Sequence, residues 1–179
     1  MQYNRIQLTW KKTDGAERYE IYRSTSKNGT YKKVYTTKNG TTTVWTDKNV
    51  KTGKTYYYKM KSVVKINKTK KSPYSKIKSV KCLPAKPEVT LQSAKKNQIK
   101  VSWKKVSGAS GYEVYRASSK SGKYEKVTTI KKGKNVSYTD KKLRNNKRYY
   151  YKVRAYRTVN GKKVFSNYSE IMSIKTRQR

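Results

Sequence analysis

Tyr19-Glu20-Ile21-Tyr22-Arg23 returns 93 residues later as Tyr112-Glu113-Val114-Tyr115-Arg116. Working outward, Trp10-Lys11-Lys12 stands before the first copy as Trp103-Lys104-Lys105 stands before the second. Thr46-Asp47 and Thr139-Asp140 keep the same spacing, as do Tyr56-Tyr57-Tyr58-Lys59 and Tyr149-Tyr150-Tyr151-Lys152. At Tyr74-Ser75 and Tyr168-Ser169 the offset becomes 94, so one residue has been added in the preceding turn. Register held over that length marks two copies of one structural unit.

Inside each copy the apolar residues alternate with period two, which is the period of a strand. Ile99, Val101 and Trp103 fall on one face and Lys100 and Ser102 on the other; Ile6, Leu8 and Trp10 repeat the pattern. Asn28-Gly29, Asn39-Gly40 and Asn160-Gly161 suit tight turns that need positive φ. The second copy divides into strands near residues 88–92, 98–104, 112–118, 124–130, 136–140, 148–159 and 166–176, labelled A, B, C, C′, E, F and G. No helix longer than a turn is expected. Composition agrees. Only 33% of the 179 residues are hydrophobic, too few for one extended core, and 18 Tyr stand against one Phe. Each buried Tyr supplies a large ring whose hydroxyl still requires a polar partner.

Together these residues resemble the fibronectin type III family. The resemblance rests on a Trp ending strand B, the Gly-Tyr-Glu-Val-Tyr run of strand C, and a Leu or Val six residues before a strand-F Tyr. That last pair is Leu143 with Tyr149, and Val50 with Tyr56. It implies an all-β chain of two tandem seven-stranded antiparallel β-sandwiches, immunoglobulin-like, with a tyrosine corner at Tyr56 and Tyr149. Tyr151, Val153 and Ala155 would then point inward, matched by Tyr58, Met60 and Ser62. The first copy is expected to lack a full strand A, because the counterpart of Glu88 would precede Met1. The expected domains are residues 1–81 and 88–179, joined by a short Pro-containing linker at 82–87. The Lys- and Tyr-rich composition resembles domains of Gram-positive bacterial surface or secreted proteins.

Catalytic chemistry finds little support. The chain has no His, and Cys82 is its single cysteine, so neither a histidine base nor an intrachain disulfide is available. Cys82 is read as a small packed residue near the end of strand G. Asp47 and Asp140 are read as Asx-turn formers, and Glu20 and Glu113 as solvated cross-strand partners. No phosphate-binding glycine loop, EF-hand spacing or Arg-Gly-Asp tripeptide occurs in the sequence. No catalytic residue, metal ligand or cofactor is implied.

The charge is the strongest functional signal. Forty-seven Lys and Arg against nine Asp and Glu give +38, a field that attracts polyanions. If Tyr19 and Ile21 point inward, Tyr22 points outward beside Tyr57, Lys59 and Lys61 on the neighbouring strand. Tyr115, Tyr150, Lys152 and Arg154 repeat the arrangement. These eight residues form the candidate binding face, since rings interleaved with cations grip sugars and anionic polymers. The competing reading is that they only stabilise the sheet.

The expected function is a non-enzymatic extracellular binding, adhesion or spacer module held to anionic cell-surface polymers or glycans. The alternatives are a secreted signal-like polypeptide engaging a host receptor protein, and an accessory module of a glycan-degrading enzyme. Nucleic acid is expected only as a non-specific partner, because the cations form no single groove. No stretch is long and apolar enough for a membrane span, and a monomer is expected. Met1-Gln2-Tyr3-Asn4-Arg5 lacks a signal peptide's apolar core. A fragment of a longer extracellular array is expected from the repeat.

Overall fold

A computed structural model describes residues 4–66 and 68–177. The chain divides into two compact units, the first ending at Cys82 and the second beginning at Leu83. In the first, β1 (Ile6–Thr9) pairs with β4 (Val44–Asp47) in a two-stranded sheet. Facing it is a sheet of β3 (Lys32–Thr36), β2 (Ala16–Ser24) and β5 (Thr55–Ile66), extended by β6 (Lys68–Lys71) and β7 (Lys78–Lys81), both paired with β5. In the second, β8 (Val89–Lys95), β9 (Gln98–Trp103) and β12 (Ser137–Asp140) form a three-stranded sheet. The other sheet joins β11 (Glu125–Ile130), β10 (Gly111–Ala117), β13 (Arg148–Val159), β14 (Lys162–Phe165) and β15 (Met172–Lys175). All pairs are antiparallel, and no helix occurs among the described residues. With β8 as strand A, the sheets are A-B-E and C′-C-F-G, the fibronectin type III arrangement. Among the described residues the first unit has no strand A.

The alternating positions fill the cores as the period predicts. Ile99, Val101, Tyr112, Val114, Tyr151, Val153 and Ala155 are wholly buried, with Trp103 and Leu143 nearly so. The first unit packs Ile6, Ile21, Val50, Tyr56, Tyr58 and Cys82. Cys82 therefore belongs to this core and not to the linker: its N–H donates to the Lys54 carbonyl, and its own carbonyl accepts from Gly53. Burial pushes its thiol pKa up.

Two turn expectations change. Of the three Asn-Gly pairs, only Asn160-Gly161 has positive φ at both residues (49° and 75°). Gly40 is required for a different reason: a Cβ there would fall 1.6 Å from the Ala16 carbonyl oxygen. The Asn160-Gly161 turn closes β13 onto β14, and β5 folds onto β6 likewise. The stretch left between strands F and G at 160–165 thus belongs to a hairpin, with β14 as its second strand. Strand G is correspondingly shorter than 166–176. Before β15 the chain is held by serines: Ser166 N–H donates to the Ala155 carbonyl while Ser166 Oγ accepts from Ala155 N–H. Ser169 does the same with Val153, and Ser72 and Ser75 with Ser62 and Met60. A hydroxyl in place of a ladder carbonyl keeps backbone groups satisfied where regular pairing stops.

Of the two aspartates read as turn formers only Asp47 closes an Asx turn, and both serve as buried acceptors. Asp140 Oδ2 accepts from Arg116 Nη1 at 2.9 Å and from the Tyr151 hydroxyl at 2.8 Å. Asp47 Oδ2 accepts from Arg23 Nη1 at 2.6 Å and the Tyr58 hydroxyl at 2.9 Å; its Oδ1 closes an Asx turn on Asn49 N–H. Strand E of one sheet is thus clamped to strands C and F of the other. Burial, then the neighbouring carboxylate, pushes both tyrosine phenols far above their ordinary range. Asp140→Ala leaves a guanidinium and a buried hydroxyl without their acceptor. It should destabilise the second unit by about 2–4 kcal/mol, and Tyr151→Phe by about 1 kcal/mol. Hydrogen exchange at the Val101 and Val153 amides reads these losses separately from the first unit.

Candidate functional site

Strands C and F are neighbours, and their registers bring the candidate residues into cross-strand pairs. Tyr115 lies opposite Lys152 and Glu113 opposite Arg154; in the first unit Tyr22 lies opposite Lys59 and Glu20 opposite Lys61. All eight candidate residues are half-buried.

The second unit shows why. Lys152 Nζ sits 4.4 Å from the Tyr124 ring centroid and 4.3 Å from that of Tyr168. The Arg154 guanidinium lies 3.8 Å from the Phe165 centroid and 5.1 Å from that of Tyr168. Tyr115 meets Tyr168 edge to face at 5.2 Å. In the first unit Lys59 Nζ is 4.6 Å from Tyr31 and 3.8 Å from Tyr74, and Lys61 is 4.5 Å from Tyr74. Tyr22 meets Tyr74 edge to face, again at 5.2 Å. Tyr57 and Tyr150 flank the arrays beside Tyr31 and Tyr124, whose phenols are pushed up by burial first and by that neighbour second.

Beneath each array is a carboxylate that strand periodicity places in solvent. Glu113 and Glu20 are only 2% and 3% exposed, which corrects the reading of them as solvated. Glu113 Oε2 accepts from Arg154 Nε at 3.0 Å and Nη2 at 2.7 Å, and from the Tyr115 hydroxyl at 2.8 Å. Lys163 and Lys126 approach its other oxygen at 3.5 and 3.7 Å. Glu20 accepts from the Tyr22 hydroxyl at 2.7 Å and pairs with Lys33 at 3.5 Å. Period two assigns a face correctly, but long side chains from neighbouring strands then roof that face. Burial raises the pKa of Glu113, yet the hydrogen bonds from Arg154 and Tyr115 and the nearby cations outweigh it, leaving a net lowering. Burial and the bond to glutamate push the Tyr22 and Tyr115 phenols well up.

The structure therefore joins Tyr22, Lys59 and Lys61, and Tyr115, Lys152 and Arg154, into ordered arrays, with Tyr57 and Tyr150 at their margins. Sequence reasoning missed Tyr31, Tyr74, Tyr124 and Tyr168, the rings that hold the lysines. Their signal was the recurrence of Tyr31 with Tyr124 at 93 residues and of Tyr74 with Tyr168 at 94. No group of three or more His, Cys, Asp or Glu able to hold a metal occurs among the described residues.

No family model matches the sequence. A stretch of 59 residues is 39% identical to an amylopullulanase of Thermoanaerobacterium saccharolyticum, covering 33% of this chain and 4% of that protein. Among solved structures, the chain is similar to the FN1–FN3 domains of chicken contactin (CNTN1) at 18% identity and a TM-score of 0.47. That alignment covers 99% of this chain and 64% of the contactin chain. A two-domain fibronectin type III segment of chicken tenascin aligns at 16% identity and a TM-score of 0.47, covering 99% and 94%.

Because the Glu113 pKa is lowered in the folded state, acid protonates the unfolded chain first. The carboxylate's stabilisation is complete above the unfolded value of about 4.3 and is lost as pH falls through the folded value. Urea unfolding from pH 6 to pH 2 should show Glu113→Gln less stable than the parent at pH 6. The gap should close with acidification. A gap constant with pH would mean that the carboxylate's charge contributes nothing.

Proposed function

We propose that this chain is a non-enzymatic binding module of an extracellular or cell-surface protein, holding anionic polymers on the ring-and-cation faces of both units. The observation that carries this reading is the repeated array. In both units a half-buried lysine ammonium is held between two tyrosine rings, beside a second cation and a third tyrosine. A lysine in free solution pays conformational entropy on binding, about 1.5–2 kcal/mol at the upper end. Lys59 and Lys152 are already ordered against aromatic faces. Phosphate or carboxylate groups of a polymer meet the ammonium, while sugar rings lie against the tyrosines. Two arrays on one chain make attachment multivalent, so weak single contacts sum to retention. The surrounding +38 field speeds encounter.

The stretch shared with an amylopullulanase favours a second reading, that of an accessory module of a glycan-acting enzyme. That reading takes a neutral glucan and gives retention insensitive to salt.

Retention on teichoic-acid-bearing cell wall, on host-cell surface, on nucleic acid and on pullulan is compared at low salt and at about 0.15 M, where the Debye length is about 8 Å. The expected result is cell-wall retention surviving the higher salt and lost in the Lys59→Ala, Lys152→Ala pair. The charge-matched pair Lys95→Ala, Lys100→Ala, on the opposite sheet of the second unit, should retain it. Equal loss in both pairs would reduce the binding to generic charge and leave a spacer. Retention on pullulan alone would favour the second reading.

A further inference from the structure

Three Asn-Gly pairs occur in the chain: Asn28-Gly29, Asn39-Gly40 and Asn160-Gly161. A glycine after asparagine lets the backbone nitrogen approach the side-chain amide, since no Cβ stands in the way. The fold blocks that approach at two of the three pairs. Asn39 Oδ1 accepts from the N–H and the hydroxyl of both Thr41 and Thr42 at 2.8–3.2 Å, which holds its carboxamide over those residues. Gly40 is itself buried against the Ala16 backbone. Gly29 N–H is taken up by the Ser26 carbonyl at 3.4 Å, and the glycine lies against Ser24 and Ser26.

At Asn160-Gly161 nothing of the kind intervenes. Val159 pairs with Lys162, so these two residues form the whole turn of the β13–β14 hairpin, and the flanking residues make its closing bonds. The Asn160 carboxamide and the Gly161 N–H have no hydrogen-bond partner among the described residues. Both residues are exposed, and a Cβ on Gly161 would meet nothing within 4 Å. Lys162 and Lys163 follow directly and are exposed; nearby cations favour the anion formed when the glycine amide loses its proton. β14 is a four-residue strand at the edge of its sheet, exposed over its first two positions. Local opening of such an element lies at the low end of the stability range, which frees the turn to bring Gly161 N onto Asn160 Cγ.

We infer that Asn160 is a site of spontaneous deamidation, and that the product loosens the β13–β14 hairpin. The Gly161 nitrogen gives up its proton to solvent and bonds to Asn160 Cγ. The Cγ–Nδ2 bond breaks, and ammonia leaves with a solvent proton. Water then opens the five-membered imide, adding hydroxyl to one carbonyl carbon and hydrogen to the ring nitrogen. Opening at Cγ gives aspartate, and opening at the backbone carbonyl gives isoaspartate. Isoaspartate routes the chain through the side-chain methylene, adding one carbon to a turn built for two residues. β14 carries Lys163, 3.5 Å from Glu113, and Phe165, whose ring centroid lies 3.8 Å from the Arg154 guanidinium. Loosening the hairpin therefore slackens the second array and leaves the first alone. At the matching sequence positions the first unit carries Asn67-Lys68, without glycine. The reaction is independent of what the arrays bind.

The test ages the full chain at mildly alkaline pH, folded and in urea, and follows each Asn-Gly pair by peptide mass and by isoaspartyl methyltransferase labelling. In the folded chain Asn160 should convert first, about fivefold faster than Asn28, the equivalent of one hydrogen bond. Asn39 should convert last. In urea the three rates should converge, because the ranking belongs to the fold. Asn160→Gln should remove the fast conversion and leave the two slower ones unchanged. In the aged chain, backbone NMR shifts should move at Arg157, Val164 and Phe165 and stay fixed in the first unit. Equal conversion of the three pairs in the folded chain, or a lead for Asn28 or Asn39, would overturn the inference. So would a ranking that persists in urea, or isoaspartate at Asn160 that leaves the β14 shifts where they were.

Discussion

A tyrosine ring buried in a sandwich brings a hydroxyl that must find a partner, and both units are organised around that requirement. An unpaired buried hydroxyl costs about 1–3 kcal/mol, so each ring is placed where its tip reaches a polar group. The Tyr112 hydroxyl accepts from Val106 N–H and Tyr149 from Arg144 N–H, tying strands C and F to the loops before them. Tyr19 and Tyr56 do the same with Thr13 and Lys51. Tyr58 and Tyr151 reach across to the carboxylates of strand E. A phenylalanine would fill the same volume but leave these loops and the facing sheet unanchored. The ratio of 18 Tyr to one Phe follows from a fold that uses ring and hydroxyl together.

The fold was legible because its signals are local. Ile99, Val101 and Trp103 alternate within six residues, and the resulting face is the buried one. The tyrosine corners were legible too, since Tyr149 lies five residues from its donor. Non-local features were not. Nothing adjacent to Glu113 in sequence shows that Arg154 and Lys163, some 40 and 50 residues on, close over it. The Asp140 clamp likewise joins residues 24 and 11 positions away on two other strands. The serines that replace ladder carbonyls at Ser166 and Ser169 look like ordinary loop residues until their partners on β13 are known. The aspartate clamp and the serines do recur in the other copy, so for them the repeat held the information that strand periodicity lacked.

The candidate face shows the same division. The outward direction of Lys59, Lys61, Lys152 and Arg154 follows from strand period. Their order does not, because it depends on tyrosines from two further segments: Tyr31 and Tyr124 before strand C′, Tyr74 and Tyr168 before strand G. An outward lysine without those rings would be a solvated charge. With them it is a fixed cation bounded by aromatic faces.

The placement of the acidic residues explains how the field survives folding. Of nine Asp and Glu, Glu20, Asp47, Glu113 and Asp140 are 4% exposed or less. Each is engaged inside the protein by Arg, Lys or Tyr. The few carboxylates therefore act as internal anchors, and only five remain near solvent to offset 47 cations. Buried pairs are screened weakly by salt, whereas exposed cations are screened strongly. Salt that weakens the external field thus leaves the clamps intact. In the second unit Arg154 goes further than Lys61, because its Nε and Nη2 both grip Glu113 while its plane stacks on Phe165. A guanidinium held on both its edge and its face has less freedom than an ammonium. The second array accordingly holds its cation by two hydrogen bonds and a ring, where the first holds the Lys61 ammonium against the rings of Tyr74 and Tyr22.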